Sequence, residues 1–133
     1  EILKHLQERG LEYRDFGCDS EEAVDYPIYA RKVTSAINSG ECDRGILICG
    51  TGIGVSIAAN KVPGAYAALV NNVYQAQRAQ LSNNANIITL GAQVTGIELA
   101  KCLVKEYLSV TFDPESRSMP KVARITEYEK EGK

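Results

Sequence analysis

The sequence is poor in the residues that mark several large classes of protein. Its 133 residues include no tryptophan, one methionine, two phenylalanines and one histidine, His5. A lone histidine cannot supply an imidazole-based metal site. The four cysteines, Cys18, Cys42, Cys49 and Cys102, form no Cys-x-x-Cys pair and no Cys/His ligand spacing. A chain of this length builds a core without disulfide staples, so the thiols read as reduced and the protein as cytoplasmic. No apolar run reaches about 18 residues, so no membrane span is expected. Charge of one sign is also missing: 15 basic residues face 17 acidic ones, a net charge of −2. That balance excludes the basic footprint of a nucleic-acid or membrane-surface binder.

What is present is ordinary for a globular protein, with 44% hydrophobic and 24% charged residues. We expect a single domain over residues 1–133, with a polar tail from about residue 112. Ile2, Leu3 and Leu6 have helical spacing, stopped by Gly10. Leu11 to Phe16 alternates as a strand does. Gly17 to Glu22 reads as a loop, and Asp25-Tyr26-Pro27 as a capped helix start. Tyr26, Tyr29, Ala30, Val33 and Ile37 follow as an apolar stripe that makes Tyr26 and Tyr29 helix core rather than ligand contacts, with Tyr26 near the expected cleft rim. Ile46 to Cys49 is a continuous apolar run, as in a strand covered on both faces. Then come a short helix around Ile57, a strand over 65–70, a helix over 73–81, a strand over 87–90 and a helix over 97–108. Residues 113–133 read as a loop and a partly exposed helix. His5 reads as a surface residue of the first helix.

Strands alternating with helices predict an α/β fold: a Rossmann-like three-layer sandwich with a parallel sheet. Because Glu1 falls inside the first crossover helix, a further strand is expected upstream of residue 1.

Gly45-Ile-Leu-Ile-Cys-Gly-Thr-Gly-Ile-Gly54 reads as strand, glycine turn and helix start. Ligands of open α/β sheets bind outside the carboxyl ends of the strands. The exposed N–H groups of such a turn, with the helix N-terminus, attract a phosphate or a developing oxyanion. The spacing is neither a P-loop nor a dinucleotide fingerprint, and a purely structural turn remains open. Cys49 strengthens the functional reading, because a helix N-terminus lowers a thiol pKa from about 8.5 toward neutrality. Such a base is suited to removing a proton from carbon. The plain alternative is a small buried hydrophobe.

The same segment, with Ser56-Ile-Ala-Ala-Asn-Lys61, Asp25-Tyr26-Pro27, Asn60-Lys61-Val62, Asn86-Ile87, Leu90-Gly91 and Gly96 to Lys101, resembles the type B ribose-5-phosphate isomerases. The wider family includes the galactose-6-phosphate isomerase subunits. The resemblance extends over nearly the whole chain. It implies interconversion of an aldose phosphate and its ketose, ribose 5-phosphate and ribulose 5-phosphate in the non-oxidative pentose phosphate pathway, through a cis-enediolate. No metal or organic cofactor is implied. Cys49 would shuttle the carbon-bound proton and Thr51 the hydroxyl proton. The N–H groups of Gly50, Gly52, Ile53 and Gly54 would hold the enediolate oxygens, with Ser56 as a polar wall.

The resemblance also implies a homodimer or homotetramer with the active site at the subunit interface. Asn83, within Gln80 to Asn86, would reach the partner's site; otherwise Asn83 and Asn84 merely end a helix. Arg117 and Lys121 would clamp the phosphate, Lys121 standing where members have a second arginine and Arg124 in reserve. Many members carry a ring-opening histidine where this chain has Ser82, which makes a galactose 6-phosphate or allose 6-phosphate substrate a competing reading. A sugar-phosphate-binding protein without turnover is the alternative outside catalysis. An upstream Asp-His turn is a further expected contributor.

Overall fold

The computed structural model describes residues 1–17 and 26–132. The expected loop over 18–22, the Asp25 cap and Cys18 lie outside the described residues.

Helix α1 (Ile2–Glu8) buries Leu6 and ends where Gly10 takes a φ of +70°. There the Leu11 N–H returns to the Leu6 carbonyl and the Gly10 N–H to that of Gln7, which satisfies two orphan carbonyls. Helix α2 (Tyr26–Asn38) is likewise followed by a left-handed glycine, Gly40, φ +82°. The remaining elements are β1 (Gly45–Cys49), α3 (Ile53–Asn60), β2 (Ala67–Leu69), α4 (Val73–Leu81), β3 (Ile87–Gly91), α5 (Ile97–Leu108) and α6 (Met119–Lys130).

The sheet is parallel, with order β1-β3-β2 and β3 at its centre. Gly45 pairs with Ile87 and Cys49 with Gly91. Side-chain alternation separates two cores. Ile46, Ala68, Ile88 and Leu90 pack with α1, α4 and α5 through Leu6, Ala76, Leu103, Val104 and Tyr107. Leu47, Cys49, Ala67 and Ile87 pack with α2 and α3 through Ala30, Val55 and Ala59. Ile87 and Ile88 are fully buried on opposite faces, and each such burial contributes about 1.5–3 kcal/mol. This is the three-layer α/β sandwich that the sequence predicts.

Four details differ from the sequence reading. Residues 11–16 form no strand, because no described strand lies beside them to complete a ladder and alternation alone leaves backbone groups unpaired. The strand expected over 65–70 shortens to Ala67–Leu69. Strand β1 is an edge strand among the described residues and leaves Ile48 46% exposed, so one of its faces is not fully covered. His5 is half-buried, with Nε2 shielded from solvent and without a hydrogen-bond partner among the described residues.

Candidate active site

The turn after β1 is pressed against the end of β3. The Ala92 N–H donates to the Cys49 carbonyl (2.8 Å), and the Gln93 N–H to that of Gly50 (2.9 Å). Gly52 has a φ of +81°, and a Cβ there would stand 2.6 Å from Leu69 Cδ1 and 2.9 Å from the Leu90 carbonyl carbon. A Cβ on Gly91 would stand 2.6 Å from the carbonyl carbon and oxygen of Thr51. The two glycines therefore let two backbones touch. Thr89, fully buried in β3, locks the contact: its hydroxyl donates to the Gly52 carbonyl (2.9 Å).

This packing aims N–H groups at the sulfur. The Gly52 N–H donates to Cys49 Sγ at 3.2 Å. Burial alone would raise the thiol pKa. The backbone N–H groups of Val55, Gly52, Thr51 and Gly54 outweigh it and hold the thiol below its ordinary value. Thr51 Oγ accepts from the Ile53 N–H (3.2 Å) and is exposed, so its own hydrogen is free to donate outward. The Gly52 and Ile53 N–H groups thus serve the thiol and the hydroxyl. That of Gly50 has no hydrogen-bond partner among the described residues. Ser56 is half-buried one turn into α3.

Tyr26, read as helix core near the cleft rim, is 43% exposed and stands at that rim. Its ring lies over Gly54, where a Cβ would come within 2.5 Å of Cζ. The Tyr26 ring therefore forms one wall of the turn. The signal was in the sequence, since a tyrosine beside Pro27 at a helix start has no preceding turn to pack against. Thr89 is missed by the sequence reading, although a threonine inside Ile87-Ile88-Thr89-Leu90 is a buried hydroxyl in search of an acceptor.

Cys49, Gly50, Thr51, Gly52, Ile53, Gly54 and Ser56 converge at the carboxyl end of the sheet. Asn83 does not join them. It is exposed in the turn between α4 and β3, before Ile87, at the opposite edge. The four residue steps of β3 separate the two edges by about 13 Å. Arg117, just before α6, and Lys121, in its first turn, are exposed and share no hydrogen bond or ion pair with the Cys49 turn. The far end of α6 is tied to the edge that holds Asn83: Glu129 accepts from the Gly64 N–H and the Tyr66 hydroxyl, both at 2.6 Å. A cavity of about 840 Å³ lies between residues 15–17 and α2 and does not touch Cys49. A smaller cleft of about 210 Å³ includes Ile48, Leu90 and Gly91 beside the turn.

Among the described residues no group of three His, Cys, Asp or Glu side chains is placed to hold a metal ion, and no helix is long and apolar enough to cross a membrane.

Comparison with known proteins adds to this geometry. The family described as Ribose/Galactose Isomerase matches residues 1–125. Ribose-5-phosphate isomerase B of Escherichia coli is 45% identical over 97% of this chain and 86% of its own length. D-erythrulose-4-phosphate isomerase 2 of Mycolicibacterium smegmatis is 49% identical over 82% of this chain and 72% of its own. The solved structure of Clostridium thermocellum ribose-5-phosphate isomerase B superposes with a TM-score of 0.94 at 48% identity, covering 99% of this chain and 88% of that one.

Proposed function

Because the chain belongs to the ribose/galactose isomerase family of sugar-phosphate isomerases, we propose that it interconverts ribose 5-phosphate and ribulose 5-phosphate, with Cys49 as the base. The observation that carries this reading is a thiol held below its ordinary pKa by backbone N–H groups at the end of a strand.

The Cys49 thiolate removes the proton from C2 of the open-chain aldose. The C–H electron pair becomes the C1–C2 double bond, and the negative charge moves to O1. The free N–H group of Gly50, with the neighbouring N–H groups of the turn, stabilises that charge with little reorganisation. Thr51 relays the proton between O2 and O1. The Cys49 thiol then returns its proton to C1, which leaves the carbonyl at C2 and regenerates the thiolate.

A second copy of the chain completes the site. Asn83 lies at the wrong edge of its own sheet to meet Cys49, so it serves a partner's turn. Ile53 and Ile57, each more than half exposed and one helical turn apart on α3, offer an apolar face for that partner. Arg117 holds the phosphate through its planar fork and Lys121 as a point charge. The unpaired Cys42, Cys49 and Cys102 suit a reducing cytoplasm.

One observation favours a second substrate. Ser82 accepts a hydrogen bond from Arg78 Nε (2.6 Å) and has no pKa suited to opening a sugar ring. A tetrose 4-phosphate, whose 4-hydroxyl is esterified, cannot close a furanose ring and needs no such group. The similarity to a D-erythrulose-4-phosphate isomerase points the same way.

Initial rates on ribose 5-phosphate, erythrulose 4-phosphate, galactose 6-phosphate and allose 6-phosphate test both readings. Preference for ribose 5-phosphate supports the first, and preference for the tetrulose phosphate the second. Turnover of hexose phosphates alone keeps the chemistry and changes the pathway. Binding without turnover of any refutes the isomerase reading.

A further inference from the structure

The turn that carries Asn83 is held from below by one buried amide. Gln80, in the last turn of α4, is 4% exposed. Its Nε2 donates to the Ala85 carbonyl (2.8 Å), while its Oε1 accepts from the Phe112 N–H (2.8 Å). The Tyr107 hydroxyl donates to the same Ala85 carbonyl at 2.7 Å. The backbone closes the turn around these contacts, with Asn84 N–H to the Gln80 carbonyl (3.0 Å) and Ala85 N–H to that of Ala79 (2.8 Å). Asn84 takes a φ of +52°, a conformation that non-glycine residues hold only when their surroundings impose it.

One planar group thus ties two chain segments together. One of them presents Asn83; the other leaves α5 through Phe112 and leads to Arg117. We propose that Gln80 is a positioning residue for the isomerase reaction: it fixes Asn83 relative to the segment that carries the phosphate clamp and touches no substrate itself. This inference rests on the reading of the site given above. The residue type matters, because the contact needs a donor and an acceptor at the two ends of one amide. Methionine matches its length and makes neither bond. Glutamate keeps the acceptor and loses the donor.

The test is a double-mutant cycle on the full chain, using the sugar phosphate that the unsubstituted enzyme turns over. Displacing a positioned group by about an ångström costs up to about a hundredfold in rate. Gln80→Met is expected to lower kcat/KM at least tenfold. Asn83→Ala removes the group being positioned, so in that background Gln80→Met is expected to lower kcat/KM less than about twofold, the mark of a shared pathway. Circular dichroism checks folding. If Gln80→Met does not fold, Gln80→Glu carries the same cycle, because the Tyr107 hydroxyl still satisfies the Ala85 carbonyl. Losses that multiply in the double variant, or a wild-type kcat/KM in the single one, overturn the proposal alone. No turnover by the unsubstituted enzyme overturns the reading of the site and this proposal with it.

Discussion

Gly52→Ala perturbs the turn that shapes the thiol, and its cost can be worked from contacts. The residue sits at φ +81°, and a left-handed backbone costs a residue with a Cβ about 1–2 kcal/mol. The new methyl group would stand 2.6 Å from Leu69 Cδ1 and 2.9 Å from the Leu90 carbonyl carbon. The leucine side chain can turn away. The backbone of central strand β3 cannot, and overpacking of this kind costs about 1–3 kcal/mol. The sum, about 2–5 kcal/mol, is a large share of the roughly 5–15 kcal/mol that holds a domain together. Urea unfolding followed by circular dichroism measures it as a lower midpoint at unchanged slope. Gly50→Ala is the control within the same turn: a Cβ there makes only an ordinary 3.6 Å contact with Gln93, and a change within about 0.5 kcal/mol is expected. If Gly52→Ala is as benign as Gly50→Ala, the account of a turn clamped on β3 is wrong.

The pH dependence follows from the lowered Cys49 pKa. The thiolate is the active form, so kcat/KM falls as pH drops through that pKa, and the acid limb lies below that of an unperturbed thiol; a limb at or above that of a free thiol contradicts the assignment. Thr89→Val keeps the shape of the side chain and strips the Gly52 carbonyl of its buried donor. It is expected to cost about 1–3 kcal/mol in urea unfolding and to lower kcat; unchanged stability and rate would show that the lock is idle. Ser82→His restores a group with a pKa near neutrality. It should speed turnover of ribose 5-phosphate, which cyclises, and leave that of a tetrose 4-phosphate unchanged, and equal effects on both would refute the ring-opening argument.

Local pattern made most of the fold readable in the sequence. The helix over Ile97–Leu108 and the β1-glycine-turn-α3 unit appear where periodicity and glycine spacing place them. The reading failed where the outcome depends on a neighbour. Leu11 to Phe16 has strand alternation but no described strand to pair with, and Leu11 and Tyr13 are 38% and 40% exposed. The stripe reads Tyr26 as helix core near the cleft rim, and the bare Cα of Gly54 draws its ring to the site itself. Gln80 and Thr89 are polar residues whose roles appear only when the carbonyls they meet are known. The separation of Asn83 from Cys49 was implicit in the order of elements, since a loop entering one parallel strand lies opposite a loop leaving its neighbour.

The most direct test of the central claim compares the unsubstituted enzyme with Cys49→Ala, measuring both isomerisation of its preferred sugar phosphate and binding of that compound by calorimetry. Removing the proton-transferring base is expected to lower turnover by about a hundredfold to ten-thousandfold, while affinity stays within a few-fold because the phosphate clamp and the turn N–H groups remain. Turnover that survives the loss of the Cys49 thiol would show that another group moves the proton and that the N–H groups around Cys49 serve only to build the turn.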